Sequence, residues 1–163
     1  MKYIVDTNVF RTFFRFYYKT VTPELFENLD KMMQDGIIIS VKEVYRELED
    51  QHKKDAEFME NMKSYKSIFQ EPTKEEEIDI LKEIYSKRNF QNNISEKNLL
   101  NGHPVADAFL VAKAKSQEGT LVTAEHYSPN AAKIPNICEE FEVKYIAFEE
   151  FLKIVKDYKN EEE

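Results

Sequence analysis

Lys2-Tyr3-Ile4-Val5-Asp6 runs through consecutive apolar positions and stops on a carboxylate. Without polar alternation, such a run suits a strand buried on both faces, as in a parallel sheet covered by helices. Three further stretches repeat the pattern: Ile37-Ile38-Ile39-Ser40 after Gly36, Thr120-Leu121-Val122-Thr123 after Gly119, and Val143-Lys144-Tyr145-Ile146-Ala147. Each glycine reads as a helix stop ahead of a strand. Helical patterns lie between. Thr22-Pro23 opens one whose stripe is Leu25, Leu29, Met32 and Met33. Ser40-Val41-Lys42-Glu43 reads as a capping box ahead of Val44, Tyr45 and Leu48, and Thr73-Lys74-Glu75-Glu76 as a second one ahead of Ile78, Leu81, Ile84 and Tyr85. Pro104 starts a helix through Leu110, Val111 and Ala114, and a last helix covers about 148–158. The stretch from Ser86 to His103 is the longest loop candidate. Alternating strands and helices give right-handed βαβ units. The expected fold is therefore α/β, a three-layer α/β/α sandwich on a mainly parallel sheet of four or five strands.

The length of 163 residues suits one domain, expected over residues 1–158, with Glu161, Glu162 and Glu163 in an acidic tail at 159–163. Basic residues number 23 and acidic residues 31, a net charge of −8 that argues against a uniformly basic nucleic-acid surface. Along the chain the charge is uneven: +3 over residues 1–20, −8 over 21–80, +2 over 81–120 and −5 over 121–163. A folded chain can bring the two basic segments together. No run approaches a membrane span, and Asp6 interrupts the start before a signal-like region develops, so the expected location is the cytoplasm, with no membrane partner. Cys138 is the lone cysteine, which excludes an intrachain disulfide and a cysteine metal cluster.

In a parallel sheet, ligands bind outside the carboxyl ends of the strands. That edge is expected to hold Asp6, then Ser40 with Glu43 and Glu47 on the helix it caps, then Asp107 in the first turns of the Pro104 helix, then Thr123 and Glu125. Asp6 has a bland alternative as a turn residue, yet it follows a strand expected to be central. Glu43 is explained by the capping box. Glu47 has no capping duty, and spacing alone leaves it open as a solvated helix acid like Glu49 or Asp50. Asp107 suits the helix macrodipole, but with Leu110, Val111 and Ala114 it lies on the apolar face, where unpaired charge is rare. Glu125 taken alone is a loop residue beside His126 and Tyr127. Four like charges together require protonation or a cation. An all-oxygen set points to a hard ion, Mg²⁺ or Mn²⁺, one or two in number, and to metal-assisted hydrolysis.

Tyr3-Ile4-Val5-Asp6-Thr7-Asn8, Glu47-Leu48, Ala106-Asp107-Ala108 and Val122-Thr123-Ala124-Glu125, in this order and spacing, resemble the PIN-domain family, in particular its small prokaryotic members that include VapC-type toxins. The resemblance covers nearly the whole chain. It implies a Mg²⁺- or Mn²⁺-dependent endoribonuclease, often neutralised by a partner antitoxin and often a homodimer. Asp6, Glu47 and Asp107 match the three family acids, Thr7 and Asn8 the polar residues beside the first, and Thr123 the one beside the fourth position. There the family commonly has Asp, and this chain has Glu125. The stretch from Lys133 to Val143 resembles a subgroup of PIN-like proteins of undefined role.

The leading expectation is thus a metal-dependent endoribonuclease hydrolysing RNA phosphodiester bonds, as the toxin of a type II toxin–antitoxin pair or as a housekeeping nuclease. Asp6, Glu47, Asp107 and Glu125 would hold the metal, with Asn8 and Thr123 orienting water or acids. Arg11, Arg15, Lys19, Arg88, Lys97 and Lys113 are expected near the site, and Arg11, Arg15 and Lys113 as phosphate contacts. An aspartyl-nucleophile phosphatase is a second enzyme reading, weakened by Asn8 where a second Asp is expected. A catalytically weak module binding RNA or protein is the non-enzyme alternative. Phe10, Phe13 or Phe14, and Tyr17 fit a helical core stripe, leaving Phe16 and Tyr18 for base stacking or a dimer contact. His52, His103 and His126 are too scattered for a histidine metal site and read as surface or cap residues, with His103 near a phosphate as an alternative. Cys138 reads as a buried small hydrophobe.

Overall fold

The computed structural model describes residues 1–16, 22–91 and 105–158. Five strands, β1 (Tyr3–Val5), β2 (Ile38–Val41), β3 (Phe69–Gln70), β4 (Thr120–Thr123) and β5 (Tyr145–Ala147), form one sheet of order β3-β2-β1-β4-β5. Every pairing is parallel, with Tyr3, Ile4 and Val5 opposite Thr120, Leu121 and Val122. Hence all strand carboxyl ends lie on one edge. The chain works outward from β1 to β3, then returns to place β4 on the other side of β1. The order therefore reverses between β1 and β4, the position at which such sheets bind ligands.

The helices are α1 (Thr7–Phe16), α2 (Pro23–Gln34), α3 (Lys42–His52), α4 (Ala56–Ser64), α5 (Glu75–Ser86), α6 (Ala106–Ser116), α7 (Ile134–Glu140) and α8 (Phe148–Asp157). Helix α6 packs on β1, β2 and β4 with α5 and α7 beside it, while α2 packs against α8 and β2. The three-layer sandwich read from the sequence is thus the observed fold. Ile4, Val9, Phe10, Ile38, Leu121, Val122, Leu110 and Val111 are fully buried between the layers. Phe13 meets Phe148 and Phe151 edge-on at 5.6 and 6.1 Å, tying α1 to α8. Gly36 adopts φ +69°, which lets Ile37 N–H reach back to the Met32 carbonyl at 2.9 Å and end α2 ahead of β2. At Gly119 a Cβ would stand 2.9 Å from the Lys2 carbonyl oxygen and against Ile4 Cδ1, so only glycine admits this approach of the β4 entrance to β1.

The structure corrects several local readings. Strand β3, two residues long, and helices α4 and α7 carry too little periodicity to be read from sequence. Ser40 is not a helix cap: it lies in β2, and its hydroxyl donates to the Val5 carbonyl at 2.7 Å. The second capping box shifts by one residue. Lys74 is the N-cap, and Glu77 Oε2 accepts from Thr73 N–H at 3.1 Å. Ile78, expected in the buried stripe, is 43% exposed, because Glu77, Ile80, Leu81 and Ile84 form the inward face. That rotation follows from Lys113, whose buried Nζ lies 3.0 Å from Glu77 Oε1 and draws the glutamate inward. Residues 88–91 are helical within the expected loop. The rest of that loop, Pro104 and the acidic tail lie outside the described residues.

Candidate active site

Asp6 follows β1 directly and is 4% exposed. Its Oδ1 accepts from Thr7 N–H at 2.6 Å and its Oδ2 faces the Thr123 hydroxyl at 3.3 Å. Because β1 and β4 are neighbours in register, Thr123 at the end of β4 is brought beside Asp6 from 117 positions away. Glu47 reaches the same place from the second turn of α3. Its Oε2 accepts from the Thr7 hydroxyl at 2.6 Å, and its Oε1 from Ala106 N–H at 3.2 Å, at the start of α6. Glu47 thus joins the first turns of α1 and α6 across the crevice. Asp107, the next residue of α6, is 7% exposed. Glu125 leaves β4 with its N–H on the Thr123 hydroxyl at 3.0 Å, while its Oε2 accepts from Ile134 N–H at 2.9 Å and so fastens the entrance of α7.

The electrostatics show the four acids sharing one field. Burial pushes the Asp6 carboxyl well above the usual range, and the charges of Asp107, Glu125 and Glu47 push it further, against the Thr7 N–H. Beneath them the buried Cys138 thiol is also pushed up, by burial first and then by Asp107 and Glu125. Cys138 is the buried small hydrophobe expected, fully enclosed beside the acids.

The flanking residues are distributed less simply. Asn8 is exposed, and its Oδ1 accepts from Arg11 Nη1 at 3.0 Å, away from the acids it was expected to orient. Thr7 does the orienting instead, through both its N–H and its hydroxyl. Arg11 also donates to Gln51, tying α1 to α3. Arg15 and Arg88 are exposed. Lys113 is no phosphate contact: it is fully buried, with Nζ on the Glu71 carbonyl at 2.9 Å and on both Glu77 oxygens. Lys19, Lys97, His103, Tyr17 and Tyr18 lie outside the described residues. Phe10, Phe13 and Phe14 are core. His52 stacks on Phe58 with centroids 4.0 Å apart, and His126 is exposed.

The donor set is all oxygen and carries excess negative charge, the chemistry a hard divalent cation neutralises. The side chains stand on protein donors, and among the described residues no three His, Cys, Asp or Glu are placed to hold one ion as they stand. An ion of the Mg²⁺ or Mn²⁺ class fits this site by charge and donor type.

The sequence matches, over residues 3–156, the family described as a domain of unknown function, DUF4411. The chain belongs to the DUF4411 family. The match takes in every acid of this site. No curated protein matches the sequence. Among solved structures, this DUF4411 chain is similar in fold to a chain of VapBC2 from Rickettsia felis bound to a DNA fragment from their promoter. Identity is 15%, the TM-score is 0.52, and the alignment covers 90% of this chain and 98% of that one. The fold is PIN-like. No helix among the described residues is long and apolar enough to cross a membrane.

Proposed function

We propose that the chain is a divalent-cation-dependent endoribonuclease that hydrolyses RNA phosphodiester bonds. The observation that carries this reading is the gathering of Asp6, Glu47, Asp107 and Glu125 around the reversal of strand order, with Asp6 buried in the field of the other three. A Mg²⁺ or Mn²⁺ ion held by these acids would activate water and neutralise the phosphate. The chain's own residues do the rest. Thr7 fixes the rotamers of Asp6 and Glu47 at once, Thr123 holds Asp6 and the start of the Glu125 loop, and Cys138 and the apolar strand ends exclude bulk water from the floor. Arg11, half-buried on α1, and Arg15, exposed on the same helix, would contact the phosphates flanking the scissile bond. Single-stranded RNA incubated with the protein and Mn²⁺ tests the reading: cleavage is expected for the native chain and none for Asp6→Asn.

The likeness to VapBC2 supports a toxin acting in the cytoplasm with a small antitoxin partner, possessing the homodimeric habit that the PIN resemblance implies. An antitoxin-like reading frame beside the gene, whose product co-purifies with this chain and inhibits it, is the expected result. A second reading, a module binding RNA or protein without cutting, is favoured by the engagement of Glu47 and Glu125 with backbone N–H groups. Isothermal titration with Mn²⁺ separates the two, since the inert module binds no ion at millimolar concentration.

A further inference from the structure

Thr7 and Arg11 stand one turn apart on α1, and Glu47 and Gln51 one turn apart on α3. Both pairs meet across the helices: the Thr7 hydroxyl donates to Glu47, and the Arg11 guanidinium donates to Gln51. The first rung of this ladder belongs to the acid cluster, and the second follows about 6 Å along the helix axis. On that second rung Arg11 is held twice, Nη1 donating to Asn8 Oδ1 at 3.0 Å and Nη2 to Gln51 Oε1. Asn8 and Gln51 are exposed, so the rung opens to solvent. Both acceptors are neutral amides, and among the described residues no carboxylate forms an ion pair with Arg11. An arginine that only tied two surface helices together would gain more from a carboxylate, since a charge-assisted bond is roughly twice as strong as a neutral one. In a chain with 31 acidic residues, Arg11 instead keeps an unneutralised charge and three of its five N–H donors beside the acids. A guanidinium fixed in this way has already lost the rotamer freedom that gripping a phosphate would otherwise cost.

We propose that Arg11 is a pre-oriented phosphate clamp for the RNA strand that enters the acid cluster, and that Asn8 and Gln51 are the positioning residues that set its fork without neutralising it. This rests on the nuclease reading and deepens it. Asn8, whose side chain turns away from the acids, serves the site through Arg11. Arg15, one further turn along α1, continues the line that the strand follows.

The test uses the full chain with Mn²⁺ and a fluorescently labelled single-stranded RNA over a range of salt concentrations, anisotropy before cleavage giving Kd and gel analysis giving cleavage. Arg11→Gln is expected to bind about 10-fold more weakly, with a plot of log Kd against log salt shallower by about 0.7, the share of one phosphate contact on a single strand. Gln51→Glu turns the tie to Arg11 into an ion pair, so its Tm should equal or exceed the native value. It should nevertheless bind RNA about 10-fold more weakly, with the same shallower slope. In an Arg11→Gln background, Gln51→Glu should add far less. A purely structural tie predicts native Kd in Gln51→Glu, and general repulsion by the added charge predicts equal losses with and without Arg11; either result, or a native salt slope in Arg11→Gln, overturns the clamp. Should Arg11→Gln fail to fold, the slope of Gln51→Glu decides alone, a native slope overturning the assignment. A native chain that binds RNA with this coupling but cuts none refutes the nuclease reading and not the clamp.

Discussion

Lys113 and Glu77 form an ion pair that couples α6, which carries Asp107, to α5. Their side chains are 0% and 1% exposed, with 3.0 Å between Nζ and Oε1, and Nζ also donates to the Glu71 carbonyl at 2.9 Å. Lys113→Met keeps the apolar stem but leaves a carboxylate buried with no cation. Removing one partner of a buried pair costs about 3–5 kcal/mol, a large share of the roughly 5–15 kcal/mol that holds a domain together. For a chain of this size each kcal/mol moves Tm by about 2–4 °C, so a fall of roughly 6–20 °C is expected. The double variant Lys113→Met, Glu77→Gln leaves no charge at either position of the pair and retains an acceptor for Thr73 N–H. It should recover most of the loss. Urea unfolding of the native chain, both single variants and the double variant closes a double-mutant cycle. A loss under about 1 kcal/mol in Lys113→Met, or a double variant no more stable than the single, would refute the pairing as the reason α6 sits where it does.

Three other outcomes follow from the site. Burial, then Asp107 and Glu125, raise Asp6 in the folded chain above its unfolded value near 3.9, so the folded state holds that proton more tightly. Stability should therefore fall as pH rises through the window between the two values, and Asp6→Asn in EDTA should show a flatter urea midpoint against pH and exceed the native chain at neutral pH. Thr7→Val removes the 2.6 Å hydroxyl bond to Glu47 and should cost about 1.5–3 kcal/mol by urea unfolding, with Thr7→Ser restoring it. Glu125→Ala loses the acceptor of Ile134 N–H and should loosen the α7 entrance, raising amide exchange at Ile134, whereas Glu125→Gln keeps that protection.

The sheet and the order of the acids were legible because both rest on patterns of few residues. Apolar runs behind Gly36 and Gly119 mark the strands, and parallel pairing then carries every strand-end acid to one edge. Side-chain roles were less legible. The Ser40 to Glu43 spacing satisfies a capping rule, yet Ser40 is held by a carbonyl 35 positions away, which no local rule registers. Lys113 resembles any helix-end lysine until α5 presents Glu77, and the same buried glutamate turns Ile78 outward against its apolar character. Asn8 stands beside Asp6 in sequence, but the helical rotation between neighbours sends its side chain to Arg11. The bonds of Thr7 to both Asp6 and Glu47 emerge only from three-dimensional neighbours.

The most direct measurement of the central claim pairs ion binding with cleavage in one set of proteins: the native chain and Asp107→Asn, each titrated calorimetrically with Mn²⁺ and assayed on single-stranded RNA. Asp107 lies in the field of Asp6 and is not part of the Lys113–Glu77 ion pair that couples α6 to α5. The native chain is expected to bind Mn²⁺ and to cut RNA only when the ion is present, while Asp107→Asn, folded by circular dichroism, binds the ion more weakly and cuts at least 100-fold more slowly. Cleavage that survives in EDTA, or an Asp107→Asn protein that binds Mn²⁺ and cuts RNA as the native chain does, would contradict the account.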